Sequence, residues 1–157
     1  MVRDFAKNEV EPLAREMDEK ETIPKDLIDK MGKLGIMGIP VPEKYGGAGM
    51  DTVAYATAIM ELAKVDASVA ITVAAHTSLG TMPIVLAGTE EQKMKYVPAL
   101  SSGKVLGAFG LTEPEAGSDA GATKTTAVKN GDEYVVNGSK IFITNSGIAG
   151  YLNPTAQ

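Results

Sequence analysis

The sequence has no cysteine, no tryptophan and a single histidine, His76, among its 157 residues. Without cysteine there can be no disulfide framework and no thiolate metal site, and one histidine cannot build a multi-histidine centre. No metal site is therefore expected. A Ser-His-Asp hydrolase would have to use His76, and no Gly-x-Ser-x-Gly turn accompanies it. Basic residues are in deficit, 15 Lys and Arg against 20 Asp and Glu, for a formal net charge of −5. No basic patch is left to displace counterions from phosphates, which argues against a nucleic-acid partner. The opening MVRDFAKNEVEP is charged and lacks an apolar stretch. The expectation is a reducing, cytoplasmic setting with no secretory signal.

Long hydrophobic runs are also scarce. Residues 68–88, SVAITVAAHTSLGTMPIVLAG, form the one segment approaching the length of a membrane-spanning helix. His76, Thr77, Ser78, Gly80, Thr81 and Pro83 interrupt it and no basic residues flank it, so a buried helix hairpin is expected and no membrane span.

What remains is a globular balance, 44% hydrophobic and 22% charged. The length suits one domain, or one domain plus part of a second. Two halves differ in period. Up to Gly103 the apolar residues recur at helical spacing. Val2, Phe5, Ala6, Val10, Leu13, Ala14 and Met17 line one face of a first helix, with Pro12 expected to kink it or mark its first irregular turn. Pro24 opens a second helix with a stripe of Leu27, Met31 and Leu34, stopped at Gly35. A loop, GIPVPEKYGGAGM, follows. Asp51 or Thr52 caps a third helix carrying Ala56, Ile59, Met60 and Ala63. The run after Ser68 is the fourth, and Thr89 and Gln92 form a capping box for a fifth.

After Gly103 the period falls to two. Strands are expected at residues 105–111, 123–129, 133–136 and 139–144, with turns at Asn130-Gly131 and Asn137-Gly138. Helices followed by antiparallel strands predict two domains, 1–103 and 104–157, not alternating βαβ units.

Two segments could carry chemistry. FGLTEPEAGSDAG (109–121) offers hydroxyls at Thr112 and Ser118 and a loop of small residues that can bring backbone N–H groups to a ligand. It is neither a P-loop nor a dinucleotide fingerprint. From composition alone a plain strand connection is the better reading. KIFITNSG (140–147) alternates, with Ile141 and Ile143 on one face and Phe142 and Thr144 on the other. An aromatic beside a hydroxyl could stack on a flat ring and bond its edge. Taken by itself, an ordinary half-buried strand is the better reading.

Taken together, residues 109–118 followed by Phe142-Ile143-Thr144 closely resemble the two flavin-binding signatures of the acyl-CoA dehydrogenase family. EKYGGAGMD, ELAKVDASVAI, AHTSLGTMPI and GTEEQKMKYVPAL resemble that family's amino-terminal helical domain, in order. AHTSLG and GSKIFITN look most like its short-chain, butyryl-type members. The resemblance implies an all-α amino-terminal bundle followed by the first strands of an antiparallel β-barrel domain. It implies FAD as cofactor, acyl-CoA as substrate, electron-transfer flavoprotein as electron acceptor and a homotetramer, in the mitochondrial matrix if eukaryotic.

By position, the backbone of Phe109, Gly110, Leu111 and Thr112 would frame the isoalloxazine. Thr112 would bond its pyrimidine side. Phe142 would lie on its face where many relatives have Trp, with Ile143 beside it, and Thr144 would reach the N5 region. Ser118 would contact the pantetheine or phosphate part of acyl-CoA. Glu115 stands where relatives carry Gly or Asn. Glu113 and Glu115 read as solvated loop charges, and His76 as a packing residue.

The family's catalytic Glu belongs to a carboxy-terminal helical domain not represented in these residues, so no catalytic residue is assigned here. The chain on its own is expected to be inactive; the alternative is a non-catalytic helical module that binds no flavin. The tail GYLNPTAQ does not resemble the family's next strand, and Asn153-Pro154 is expected to stop one.

Overall fold

Pro12 lacks the N–H that a helix needs in its interior, and the chain answers by changing its winding there. In the computed structural model, which describes residues 1–157, the first helix, α1 (residues 2–20), is π-wound at Ala6–Val10 and 3-10 at Glu11–Leu13. It is α-helical on either side, at Val2–Phe5 and Ala14–Lys20. Phe5, Ala6, Val10 and Met17 are buried on the expected face.

Pro24 directly precedes α2 (Lys25–Lys33), which buries Leu27, Ile28 and Met31. Leu34, expected in that stripe, is exposed, because the helix ends before it and Gly35 turns away at φ 74°. Asp51 caps α3 (Thr52–Ala63), its carboxylate accepting the Ala54 N–H at 2.8 Å. The buried side of α3 is Ala58 and Leu62, whereas Ala56, Met60 and Ala63 face outward. The helix is apolar on nearly every side, so its sequence period does not choose a face.

The expected hairpin at 68–88 is instead one continuous helix, α4 (Ala67–Ala87). Asp66 caps it by accepting the Val69 N–H at 2.8 Å. Across Ala75–Thr81 the winding opens to π, and the Met82 N–H reaches back to the Thr77 carbonyl. This absorbs Gly80 and Pro83 without a break. The polar residues taken as interruptions bond backbone carbonyls. Thr81 donates to His76 O at 2.9 Å, Thr77 to Met37 O at 3.2 Å and Ser78 to Ala74 O at 2.6 Å. By length and composition α4 could cross a membrane, but half of its most apolar window is buried within the protein. The capping box opens α5 (Glu90–Ser101): Gln92 N–H donates to Thr89 Oγ1 at 3.2 Å and Thr89 N–H to Gln92 Oε1 at 2.8 Å.

The helices enclose a core of α1, α2, α3 and α4 side chains with Ile36, Met37 and, from beyond the helices, Leu106. Then come β1 (Gly107–Gly110), β2 (Thr126–Asn130), β3 (Glu133–Asn137) and β4 (Tyr151–Pro154). β2 and β3 form the expected antiparallel hairpin. Asn130 pairs with Glu133, so the two-residue turn is Gly131-Asp132 and not Asn130-Gly131. Gly131 alone takes positive φ, at 63°, whereas a type I′ turn would need it at both central residues. Gly138 makes no such turn; it is required because a side chain there would overlap Thr125.

Two expectations about strands are overturned. Residues 139–144 do not form one. The tail does: β4 pairs with β1, in parallel, Gly107 opposite Tyr151 through Gly110 opposite Pro154. Pro154 does not stop it, because the N–H groups turned toward β1 are those of Tyr151 and Thr155, which donate to Leu106 O and Gly110 O. The missing N–H of Pro154 falls on the outer edge. Tyr151 further packs edge-on against Tyr96 of α5, centroids 5.2 Å apart.

β1 lies directly on α4. An ideal Cβ on Gly80 would stand 2.5 Å from the Gly107 carbonyl carbon, and one on Gly107 would stand 2.8 Å from Gly80 Cα. Gly80→Ala should therefore force helix and strand apart, costing about 1–3 kcal/mol. Gly117→Ala, where an added methyl meets nothing within 4 Å, should be close to neutral. Urea midpoints of the two variants check this, and equal midpoints would count against the close approach.

Candidate functional site

At the end of β1 the chain leaves the α4 surface through Leu111 and Thr112 and folds into a tight turn. Glu113 N–H bonds Ala116 O at 2.9 Å, and Ala116 N–H bonds Glu113 O at 3.1 Å. Glu113 is not the solvated loop charge expected of it; its residue surface is only 6% exposed. Its carboxylate accepts the Lys124 N–H at 2.6 Å, the Thr125 N–H at 3.0 Å, the Thr125 hydroxyl at 2.5 Å and the Lys140 ammonium at 2.7 Å. The Lys140 ammonium first, then Thr125 and the Lys124 N–H, hold its pKa down at about 2. Glu115 is exposed and pairs with Lys124, which lowers its pKa.

Lys140 links the two candidate segments. Besides Glu113, its ammonium donates to Leu111 O at 3.2 Å and to Thr155 Oγ1 at 3.0 Å. Next to it, the Ile141 N–H donates to Thr112 O at 2.9 Å. The second segment thus lies alongside the first. Four residues on, Asn145 takes φ 69° and its amide donates to Thr72 O of α4 at 3.1 Å and to Gly107 O at 3.3 Å. Residues 141–145 are anchored at both ends.

Between those anchors the alternation expected from sequence persists without a strand. Ile141 and Ile143 are half-buried, and Phe142 and Thr144 face out. Phe142 stands 89% exposed at φ 58°. Left-handed backbone is costly for a bulky residue, and so is an aromatic ring left in water. Thr144 opens on a cavity of about 440 Å³ shared with Thr72, Asn145 and Ile148.

The structure therefore lays the segment of Phe109, Gly110, Leu111 and Thr112 alongside the start of the one carrying Phe142, Ile143 and Thr144, the bonds between them running from Lys140 and Ile141. Phe109 is half-buried on β1 opposite Asn153, and Gly110 is buried, with Lys140 Cγ 3.2 Å from where its Cβ would be. Thr112 is half-buried. Ser118 sits apart, exposed in the stretch after the turn. Sequence reasoning passed over Lys140, Asn145 and Thr155. Their role is to join segments distant in sequence, and no local spacing signals that. Chemically, the site offers free hydroxyls, a bare aromatic face and backbone groups, while its one buried carboxylate is already fully bonded.

Residues 1–104 match the family profile for the acyl-CoA dehydrogenase N-terminal domain, and residues 108–157 match that for the middle domain. The chain belongs to the acyl-CoA dehydrogenase family. An acyl-CoA dehydrogenase of Bacillus subtilis is 58% identical to it over 95% of this chain and 39% of that protein. A short-chain-specific acyl-CoA dehydrogenase of Clostridium acetobutylicum is 54% identical, again over 95% of this chain and 39% of the relative. The crystal structure of an acyl-CoA dehydrogenase complexed with FAD from Bacillus anthracis superposes with a TM-score of 0.94 at 43% identity, over 99% of this chain and 28% of that one. The chain thus spans about 39% of the length of the two curated relatives.

In this chain the Glu113 cluster fixes a pH dependence. The folded-state pKa, about 2, lies below the ordinary 4.5. The ionised carboxylate therefore adds stability that is complete above 4.5 and lost as pH falls toward 2. Glu113→Gln should lower stability at neutral pH and flatten the acid limb of the stability profile. Urea unfolding over that pH range checks it; an unchanged acid limb would show that Glu61, also held at about 2, carries the effect instead.

Proposed function

We propose that this chain supplies the amino-terminal helical unit, residues 1–103, and the opening part of the β unit, residues 104–157, of an FAD-dependent acyl-CoA dehydrogenase that acts on short acyl-CoA thioesters. The observation that carries this reading is Phe142, held 89% exposed at φ 58° between two anchored ends. Such strain persists only where the surroundings impose it, and it gathers at ligand sites. A flat apolar ring with a bare face is suited to stacking on an isoalloxazine.

The residues present fit the cofactor. The backbone of Phe109, Gly110, Leu111 and Thr112 would frame the ring, and the Thr112 hydroxyl would bond its pyrimidine edge. Phe142 would cover one face, with the half-buried Ile143 beside it. Thr144 would present its hydroxyl toward N5, where a neutral donor would stabilise charge that develops during reduction. Ser118 contacts the pantetheine or phosphate part of the substrate. When bound, FAD supplies the hydride acceptor for α,β-dehydrogenation.

No residue here is assigned as the base that removes the α-proton. Glu113 is bonded to four donors, Glu115 is paired with Lys124, and Asp119 is exposed in the loop. We assign the base to a residue outside this chain. On the same resemblance, the electrons pass to an electron-transfer flavoprotein and the assembled enzyme is a homotetramer of the cytoplasm or mitochondrial matrix. One observation favours a second reading, a helical module without flavin. The β2–β3 hairpin exposes Val128, Tyr134, Val135 and Val136, so the site has one wall, whereas good cofactor sites bury most of their ligand.

The two readings separate in a chimera that joins this chain to the remaining carboxy-terminal part of the Clostridium acetobutylicum relative. On the proposed reading the chimera purifies with flavin and oxidises butyryl-CoA with an artificial electron acceptor. Phe142→Ala should weaken flavin retention, and Thr144→Val should slow flavin reduction by on the order of 10²-fold. A colourless, inactive but folded chimera would favour the flavin-free module. Residues 1–157 alone should show no turnover and bind FAD more weakly than micromolar. Turnover by the isolated chain would overturn the placement of the base.

A further inference from the structure

His76 is fully buried in the π-wound stretch of α4. Its Nε2 lies 3.1 Å from the Leu100 carbonyl of α5, and its Nδ1 lies 2.9 Å from the Gly107 N–H at the start of β1. A carbonyl only accepts and an N–H only donates. The ring is therefore the neutral tautomer with its proton on Nε2. The groups that face it are all backbone: the Leu100 and Met37 carbonyls and the Gly107 N–H. No charged or titratable side chain of α5, β1, β4 or the 36–38 turn lies against it.

A second proton has one place to go, Nδ1, and that nitrogen already accepts a hydrogen bond. Protonation turns the acceptor into a donor aimed at another donor, so the Gly107 contact breaks. β1 begins at this contact and leads without interruption into Phe109, Gly110, Leu111 and Thr112.

We propose that His76 is a pH-sensitive positioning residue: when neutral it fastens β1 to α4 and α5, and when protonated it releases Gly107 and with it the strand that carries residues 109–112. The bearing of this on flavin rests on the function proposed above; the contact itself does not. Burial pushes the His76 pKa down from 6.5 to about 4. Its contribution to stability is therefore complete above pH 6.5 and lost as pH falls toward 4.

His76 is the only histidine in the chain, so its imidazole nitrogens give unambiguous NMR signals in the ¹⁵N-labelled protein. The expected result is an Nε2–H tautomer that titrates well below 6.5. Hydrogen-exchange protection of the Gly107 amide should be lost over the same pH range. His76→Gln keeps a donor and an acceptor but cannot titrate, so it should keep Gly107 protected across that range. His76→Leu removes both partners, and the Gly107 amide should exchange at least about tenfold faster at every pH.

An Nδ1–H tautomer, a midpoint near 6.5, or Gly107 protection that survives protonation of the ring would each overturn the proposal. So would a His76→Gln variant that loses protection with the wild-type pH profile, since that would leave His76 a packing residue only. None of these measurements involves flavin, so their failure is distinct from failure of the dehydrogenase reading. In the flavin-loaded chimera, affinity should fall with pH for the wild type and stay level for His76→Gln. Parallel profiles there would overturn the link to the flavin site.

Discussion

The close approach of α4 and β1 is the constraint on which the rest of the molecule depends. Two glycines, Gly80 and Gly107, let helix and strand backbones meet where any Cβ would collide. Backbone groups at such a seam need partners, since an unpaired buried one costs about 1–3 kcal/mol. The chain supplies them from side chains. His76 takes the Gly107 N–H, and Asn145 takes the Gly107 carbonyl. Asn153 donates to the Gly80 carbonyl at 2.8 Å. Each of the three comes from a different part of the sequence, so the seam fixes the order in which helix, strand and tail can be stacked.

A second organiser sits where β1 ends. Lys140 and Glu113 form a nearly buried ion pair, and each uses its remaining capacity on neighbours: Glu113 on Lys124 and Thr125, Lys140 on Leu111 and Thr155. A buried pair is a weak argument for net stability, because desolvation offsets much of the attraction. Its effect here is on register. The loop after β1, the start of β2, the 139–144 segment and the tail all converge on these two side chains. Displacing any one of them leaves a donor or the carboxylate unpaired.

This explains which features were legible in the sequence. The existence of five helices, the Asp51 cap, the Thr89–Gln92 box and the pairing of the strands on either side of Gly131 follow from local propensity and local hydrogen bonds, and they read correctly, although the hairpin turn falls one residue later than expected. The two segments singled out by family resemblance lie side by side, joined where Lys140 and Ile141 bond Leu111 and Thr112. The misreadings share a different cause. Residues 139–144 alternate like a strand, but Lys140 and Ile141 bond the 111–113 segment and no ladder forms. Asn153-Pro154 looks like a stop, yet β4 exists because β1 offers an edge and Gly80 a carbonyl. Glu113 looks like a loop charge until Lys140, distant in sequence, is placed beside it. The face of α3 and the continuity of α4 were hidden by apolar residues on nearly every side.

The strained backbone of the candidate site follows from the same seam. A residue such as Phe142 in the left-handed region costs on the order of 1–3 kcal/mol. Asn145, also left-handed, is a residue type that tolerates that conformation better. The segment recovers hydrogen bonds from Ile141 N–H to Thr112 O, and from the Asn145 amide to Thr72 O and Gly107 O. At about 0.5–1.5 kcal/mol each, three such bonds are enough to offset the strain. Two of the three acceptors belong to α4 or to the first residue of β1. The aromatic ring is therefore held outward by contacts on its inner side, and the geometry of the exposed wall is set by the helical half of the chain. A shift of β1 against α4 moves Gly107, loosens Asn145 and removes the force that holds Phe142 in place.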